Sequence, residues 1–230
     1  MKILAWTFGC VLFGSIAASA YDYDWEVPKE YQFELRGPAT FIFPKDEGYK
    51  TVFGGGIQAI HWMTNNIGFS VGIDLQLWKP DEEQRVTGVD YSYGIPINWS
   101  ATLDGSASML PLGISGLYKI HLNPETWVTT EAGVRYVIVT SDFDATYTAW
   151  ASNEGRYARS SEIYPVDIDN GAVGFAGIDI FHELSEGWGL FCGVGYQFDI
   201  AKGKASIDGV EIGENELAGA FVRGGFILGF

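Results

Sequence analysis

The 230-residue chain carries 29 acidic against 14 basic side chains, a formal net charge of −15. Like charge on protein and phosphate excludes nucleic acid as a partner. The 30 glycines follow no collagen period and stand beside 15% aromatic residues, which excludes a collagen-like chain and suits tightly curving strands with aromatic belts.

The first element is "MKILAWTFGCVLFGSIAASA": Lys2, an apolar stretch, then Ala18-Ser19-Ala20. A charged start, an apolar middle and a small-x-small site predict a secretory signal peptide over 1–20, cut after Ala20. Its apolar part is short for a membrane span. Cys10 follows Gly9 as in a lipoprotein signal, but Thr7 stands where an aliphatic residue is wanted. Cleavage removes Cys10 and leaves Cys192 alone, so no internal disulfide is expected.

Beyond the signal there is no run of about 18 apolar residues, and no membrane-crossing helix is expected. What recurs is alternation with a period of two, the mark of a strand with two unlike faces. About eight strands are predicted, near 31–43, 51–63, 67–78, 106–121, 126–141, 166–182, 187–201 and 217–230. In the second, Gln58 and His61 fall on opposite faces, which leaves its parity open. The third sets Phe69, Val71, Ile73, Leu75 and Leu77 against Ser70, Gly72, Asp74 and Gln76. The fourth sets Leu110, Leu112, Ile114, Tyr118 and Ile120 against Gly113, Ser115 and Lys119. The fifth sets Val128, Ala132, Val134, Tyr136 and Ile138 against Thr129, Glu131, Gly133 and Arg135.

In the sixth strand Phe175 and Phe181 fall on the otherwise polar face, which leaves its register open. The seventh runs Trp188, Leu190, Cys192, Val194, Tyr196, Phe198 and Ile200 against Gly189, Gly193, Gly195, Gln197 and Asp199. The last places Val222, Phe226, Leu228 and Phe230 opposite Arg223, Gly225 and Gly229. Pro38 and Pro111 lie inside strands and lack the ladder's N–H, so bulges or strand ends are expected there.

Each strand exceeds the roughly 9–11 residues that a tilted strand needs to cross a bilayer. The connections alternate, short at 64–66, 122–125 and 183–187 and longer at 44–50, 79–105, 142–165 and 202–216. Sorted loops and apolar-out alternation predict an all-β, antiparallel up-and-down transmembrane barrel. Trp62, Trp127 and Trp188 flank the short turns, and are expected as interfacial aromatics at one membrane–water boundary.

Together these features resemble the small eight-stranded outer-membrane barrels, the group holding the OmpA transmembrane domain and OmpX-like proteins. The resemblance is one of architecture and covers nearly the whole chain after the signal. It implies export to the outer membrane of a Gram-negative-type bacterium, with short periplasmic turns and long extracellular loops. Residues 21–30 would be a periplasmic N-terminal segment and 31–230 the barrel domain. It also implies outer-membrane lipid and lipopolysaccharide as surroundings, and the barrel-assembly machinery as a partner in biogenesis. In that family a terminal aromatic with apolar residues at alternate positions is the assembly signal. Phe230, Leu228, Phe226 and Val222 match it, with Gly224 a weak member.

An eight-stranded barrel is just wide enough for its interior side chains to fill it. The inward set includes Glu34, Arg36, Asp74, Lys119, Glu131, Arg135, Asp179, Asp199 and Arg223. Both signs occur in similar numbers, so an interior network of paired charges is expected. No cofactor or metal site is read. Asp81, Glu82 and Glu83 form an acidic run without a glycine-turned ligand loop, and read as solvated.

His61, His121 and His182 lie near strand ends on the short-turn side. "FHELS" brings His182, Glu183 and Ser185 together, but His182 and Ser185 are three apart and flank a turn. The lipid A deacylases among outer-membrane barrels set this pair two apart on one strand face. No enzyme is therefore expected, and lipid A modification stands as an alternative. The long loops are rich in Tyr, Trp, Ser and Asn, which suits surfaces that bind proteins or glycans and suits hairpin extensions equally. The expected role is structural or surface-interacting, through an extracellular protein or glycan ligand. A narrow pore or small-solute channel is the alternative.

Overall fold

The computed structural model describes residues 32–45, 50–79, 85–91, 96–153, 156–207 and 209–229. The expected signal peptide, the segment 21–30, the acidic run at Asp81, Glu82 and Glu83, and Phe230 lie outside them. The described chain forms strands β1 (Phe33–Pro44), β2 (Val52–Trp62), β3 (Ile67–Trp78), β4 (Arg85–Asp90), β5 (Ile97–Asn123) and β6 (Thr126–Asn153). It continues with β7 (Arg156–Ile168), β8 (Gly171–Ser185), β9 (Trp188–Ala201), β10 (Gly203–Ile207), β11 (Val210–Asn215) and β12 (Gly219–Gly229).

Eight strands close on themselves, each antiparallel to the next. The order β6-β8-β9-β12-β1-β2-β3-β5 returns to β6 through a full β5–β6 hairpin. β1 and β12 seal the ring, from Glu34 opposite Gly229 to Pro44 opposite Gly219. Closure removes the sheet edge, so each strand of the ring has a ladder partner on both sides.

The outer face is continuously apolar. Phe69, Val71, Ile73, Leu75 and Leu77 on β3 stand exposed, as do Leu190, Val194, Tyr196, Phe198 and Ile200 on β9. Their partners across the pleat are buried or half-buried in the lumen, and this is the alternation that the sequence carried. The parity of β2 resolves: Gln58 is buried inward, while His61 turns outward between Phe33 and Phe69, 4.7 and 5.4 Å away. β8 keeps one register along β6 and shifts against β9 only near its two ends, with Phe175 and Phe181 inside the barrel and Ile178 and Ile180 outside.

The two prolines produce neither bulge nor strand end. β1 runs in unbroken register along β12 through Pro38, opposite Gly225. On its other side the β1–β2 pairing lapses between Arg36 and Ala39 and then resumes in the same register. Pro111 behaves alike: β5 holds its register with β6, and the β3–β5 pairing lapses between Ile73 and Gln76. The missing N–H interrupts one ladder locally, and the other ladder keeps the strand straight.

The segments expected as long loops are largely strand. β5 and β6 run 27 and 28 residues, about 90 Å at ~3.3 Å per residue, far more than the roughly 25 Å apolar band of a membrane barrel. Their far ends pair with β4 and β7, and β7 carries β10 and β11. β4, β7, β10 and β11 continue β3, β8, β9 and β12 after short breaks. At one break Asn170 bridges the gap, its Oδ1 accepting from Val139 N at 2.9 Å and its Nδ2 donating to Tyr136 Oη at 3.1 Å. Beyond the barrel rim the wall is therefore an open six-stranded sheet, β11-β10-β7-β6-β5-β4.

Candidate functional site: a charged lumen under an apolar plug

The lumen is filled in layers. At the short-turn end Trp127, Phe181 and Phe191 stack, with centroids 5.6 and 5.2 Å apart. Lys119 Nζ lies 4.0 Å from the Trp62 ring centre and 5.1 Å from that of Trp127, and donates to Glu34 Oε1 at 2.7 Å. A cation over aromatic faces and beside a carboxylate is held by both. Trp62 and Trp127 are thus buried inward and do not serve as lipid-facing anchors; the ring of Trp62 lies over Gly68, which leaves it room. Trp188 alone of the three is exposed on the outer face.

The next layer is centred on Arg223 of β12. Its Nε donates to Asp179 Oδ1 at 2.8 Å and its Nη2 to Asp179 Oδ2 at 2.6 Å, and the same Nη2 also reaches Glu131 Oε2. Glu131 Oε1 accepts from Gln58 Nε2 at 2.6 Å and from Ser115 Oγ at 2.5 Å, with Ser70 between them. Arg36 Nη2 donates to Glu34 Oε2 at 3.4 Å, and its guanidinium lies 4.1 Å from the Phe181 ring centre. One layer higher, Arg135 faces Asp74 at 3.8 Å and lies over Phe175.

Four bases (Arg36, Lys119, Arg135, Arg223) therefore meet four acids (Glu34, Asp74, Glu131, Asp179) in a paired network without net formal charge. Charges removed from water need such partners. Asp199 stands apart: its Oδ1 accepts from Leu217 N at 2.8 Å and holds the chain entering β12. Glycine makes room for the large groups. A Cβ at Gly193 would lie 2.0 Å from Asp179 Oδ1, and one at Gly56 would lie 2.1 Å from Asp74 Oδ1. A cavity of about 20 Å³ beside Asp74, Arg135 and Gln58 has room for a single water.

Toward the long-hairpin end the filling turns apolar. Ile42, Val52, Trp78, Met109, Val137, Phe143, Val166, Val173, Leu217 and Phe221 form one buried cluster across the barrel mouth. Leu217 reaches it from the link between β11 and β12, where Gln197 Nε2 donates to its carbonyl. Phe143 came from a segment read as a loop, and Trp78, Val166 and Leu217 from the outermost residues of predicted strands. The available signal was weak: isolated large apolar residues recurring in phase with the flanking strands. Outside the apolar zone, Lys202 donates to Glu216 at 2.6 Å, which holds the Glu216 carboxyl below its ordinary range.

The three histidines do not assemble a catalytic set. His182 Nδ1 lies 3.0 Å from the hydroxyl of Thr126 on β6, not from Ser185, and Glu183 Oε1 accepts from Gly187 N. His121 is half-buried beside Trp127. On β12, Val222 and Phe226 are exposed on the outer face and Leu228 is half-buried. Among the described residues no cluster of His, Cys, Asp and Glu could hold a metal ion.

An eight-stranded ring with an apolar exterior and a charged, packed interior defines the outer-membrane β-barrel class. The structure is similar to that of the outer membrane protein OprG from Pseudomonas aeruginosa, with a TM-score of 0.57, 13% identity, and 90% of this chain and 99% of that chain covered. It also matches Neisserial surface protein A, with a TM-score of 0.43, 13% identity, and 86% and 96% covered. At 13% identity the likeness to OprG is one of fold. No protein-family model and no curated protein matches the chain.

Proposed function

We propose that this protein is a sealed outer-membrane anchor that presents its long β-hairpins outside the cell for contact with an extracellular partner. The observation that carries this reading is a contrast along one axis. The lumen is packed at every level described, while β5 and β6 continue far past the apolar band. A chain selected to pass solutes has no use for an apolar plug, and a chain needing only an anchor has no use for strands of that length. Lipid and lipopolysaccharide surround the barrel in this reading, and the chemistry of the site does not call for catalysis.

Orientation is the testable core. Ser160 on β7 is exposed, and Cys192 stands on the outer wall of the barrel facing lipid. In intact cells a charged maleimide is expected to label Ser160→Cys and to leave wild-type Cys192 untouched. Labelling of Ser160→Cys only after the membranes are broken would overturn the reading.

A further inference from the structure

The face of the outer sheet that is continuous with the lumen plug carries a stacked pair of aromatic rings. Leu103 and Ala145 on this face pack against the plug. Period-two alternation along β5 and β6 then places Ala101, Trp99 and Tyr147 on the same face, farther from the membrane. Trp99 and Tyr147 stack with centroids 6.0 Å apart and planes 25° apart, and Tyr147 is 37% exposed. Trp99 lies flat because its cross-strand neighbour is Gly88: a Cβ there would lie 2.5 Å from the ring. Beside Tyr147, across the ladder, stands the exposed carboxylate of Glu162, which accepts from the Tyr164 hydroxyl.

We infer that this face is a binding platform for a neutral oligosaccharide. The inference rests on the proposed outward display of the hairpins and names the ligand they contact. A pyranose ring has one face of C–H groups and a rim of hydroxyls. The C–H face is attracted to the electron-rich face of an aromatic ring, and a stacked pair with Tyr147 37% exposed offers its uncovered ring surface to a sugar. The rim needs fixed acceptors at the edge, which Glu162 supplies. Charge selects among glycans: Glu162, opposite Tyr147, and Asp90, opposite Ile97, place acids on this face of a chain with net charge −15. Sulfated or uronic-acid polymers would meet like charge.

The test uses the full chain, folded in lipid nanodiscs, on an array bearing neutral oligosaccharides (chitohexaose, maltohexaose, mannohexaose) and heparin fragments. Binding to at least one neutral glycan and not to heparin is expected. Trp99→Ala and Tyr147→Ala are each expected to weaken it roughly tenfold, the loss of one ring's stacking. Trp99→Phe is expected to retain most of it. Mobility shifts on boiling in SDS establish that every variant holds a folded barrel. No neutral glycan bound at millimolar concentration, heparin bound better than neutral glycans, or full binding by both alanine variants would overturn the inference. Surface labelling of Ser160→Cys separates the two failures: a labelled but glycan-blind protein leaves the display reading standing and removes only the ligand.

Discussion

The two halves of the lumen are filled by opposite chemistry. Near the short turns, eight charged side chains share a layer system with stacked aromatic rings, and each charge is met from another strand, Arg36 by Asp179 at 3.7 Å. Near the long hairpins the same barrel is filled by Ile42, Trp78, Met109, Phe143 and Leu217, with Gln76, Gln197 and Asp199 bonding at its edge. The lesson is one of directionality. A charged filling is specified by pairing, so loss of one partner strands another. An apolar filling is specified by volume, so loss of one member leaves a space that its neighbours partly close.

Removal of Arg223 should expose that difference most sharply. Among the described residues Arg223 alone bonds both Asp179 and Glu131, so Arg223→Met leaves two buried carboxylates with Arg36, 3.7 Å from Asp179, as the remaining cation beside them. A loss of about 3–5 kcal/mol is expected, read as a lower urea midpoint for unfolding from lipid vesicles. A loss under about 1 kcal/mol would mean that the network is solvated and not a filling.

In the apolar half, Leu217→Ala should cost about 2–4 kcal/mol in the same assay, as for a buried leucine whose site partly collapses. No effect would show that the link between β11 and β12 does not seat in the plug. The smallest effect is expected at Lys119→Met. Its aliphatic stem can still pack between Trp62 and Trp127, and Glu34 keeps Arg36 as a partner. About 1–2 kcal/mol is expected, the scale of one charge-assisted hydrogen bond. A loss equal to that of Arg223→Met would contradict the ranking of the two layers.

The same contrast governs what could be read from the sequence. Period two is a property of the backbone, so the outward set on β3, β6 and β9 was legible residue by residue, and with it the eight-stranded ring. The inward charges were legible as a list but not as pairs, because Arg223 meets Glu131 from 92 residues away. Pairing across a lumen depends on register and closure, which local pattern does not encode. Tryptophan was misleading for a definite reason. A ring flanking a turn can face lipid or lumen, and at Trp62 and Trp127 the choice follows from Lys119 and from the space over Gly68. The plug was illegible because its members are contributed singly by strand ends and links.

Ion conductance tests the sealed lumen most directly. Purified, folded protein inserted in planar bilayers should give no stepwise current above baseline across the voltage range, because a charge-neutral network and an apolar plug stand in series on the only path. Reproducible large single-channel steps from the wild-type protein would contradict the account.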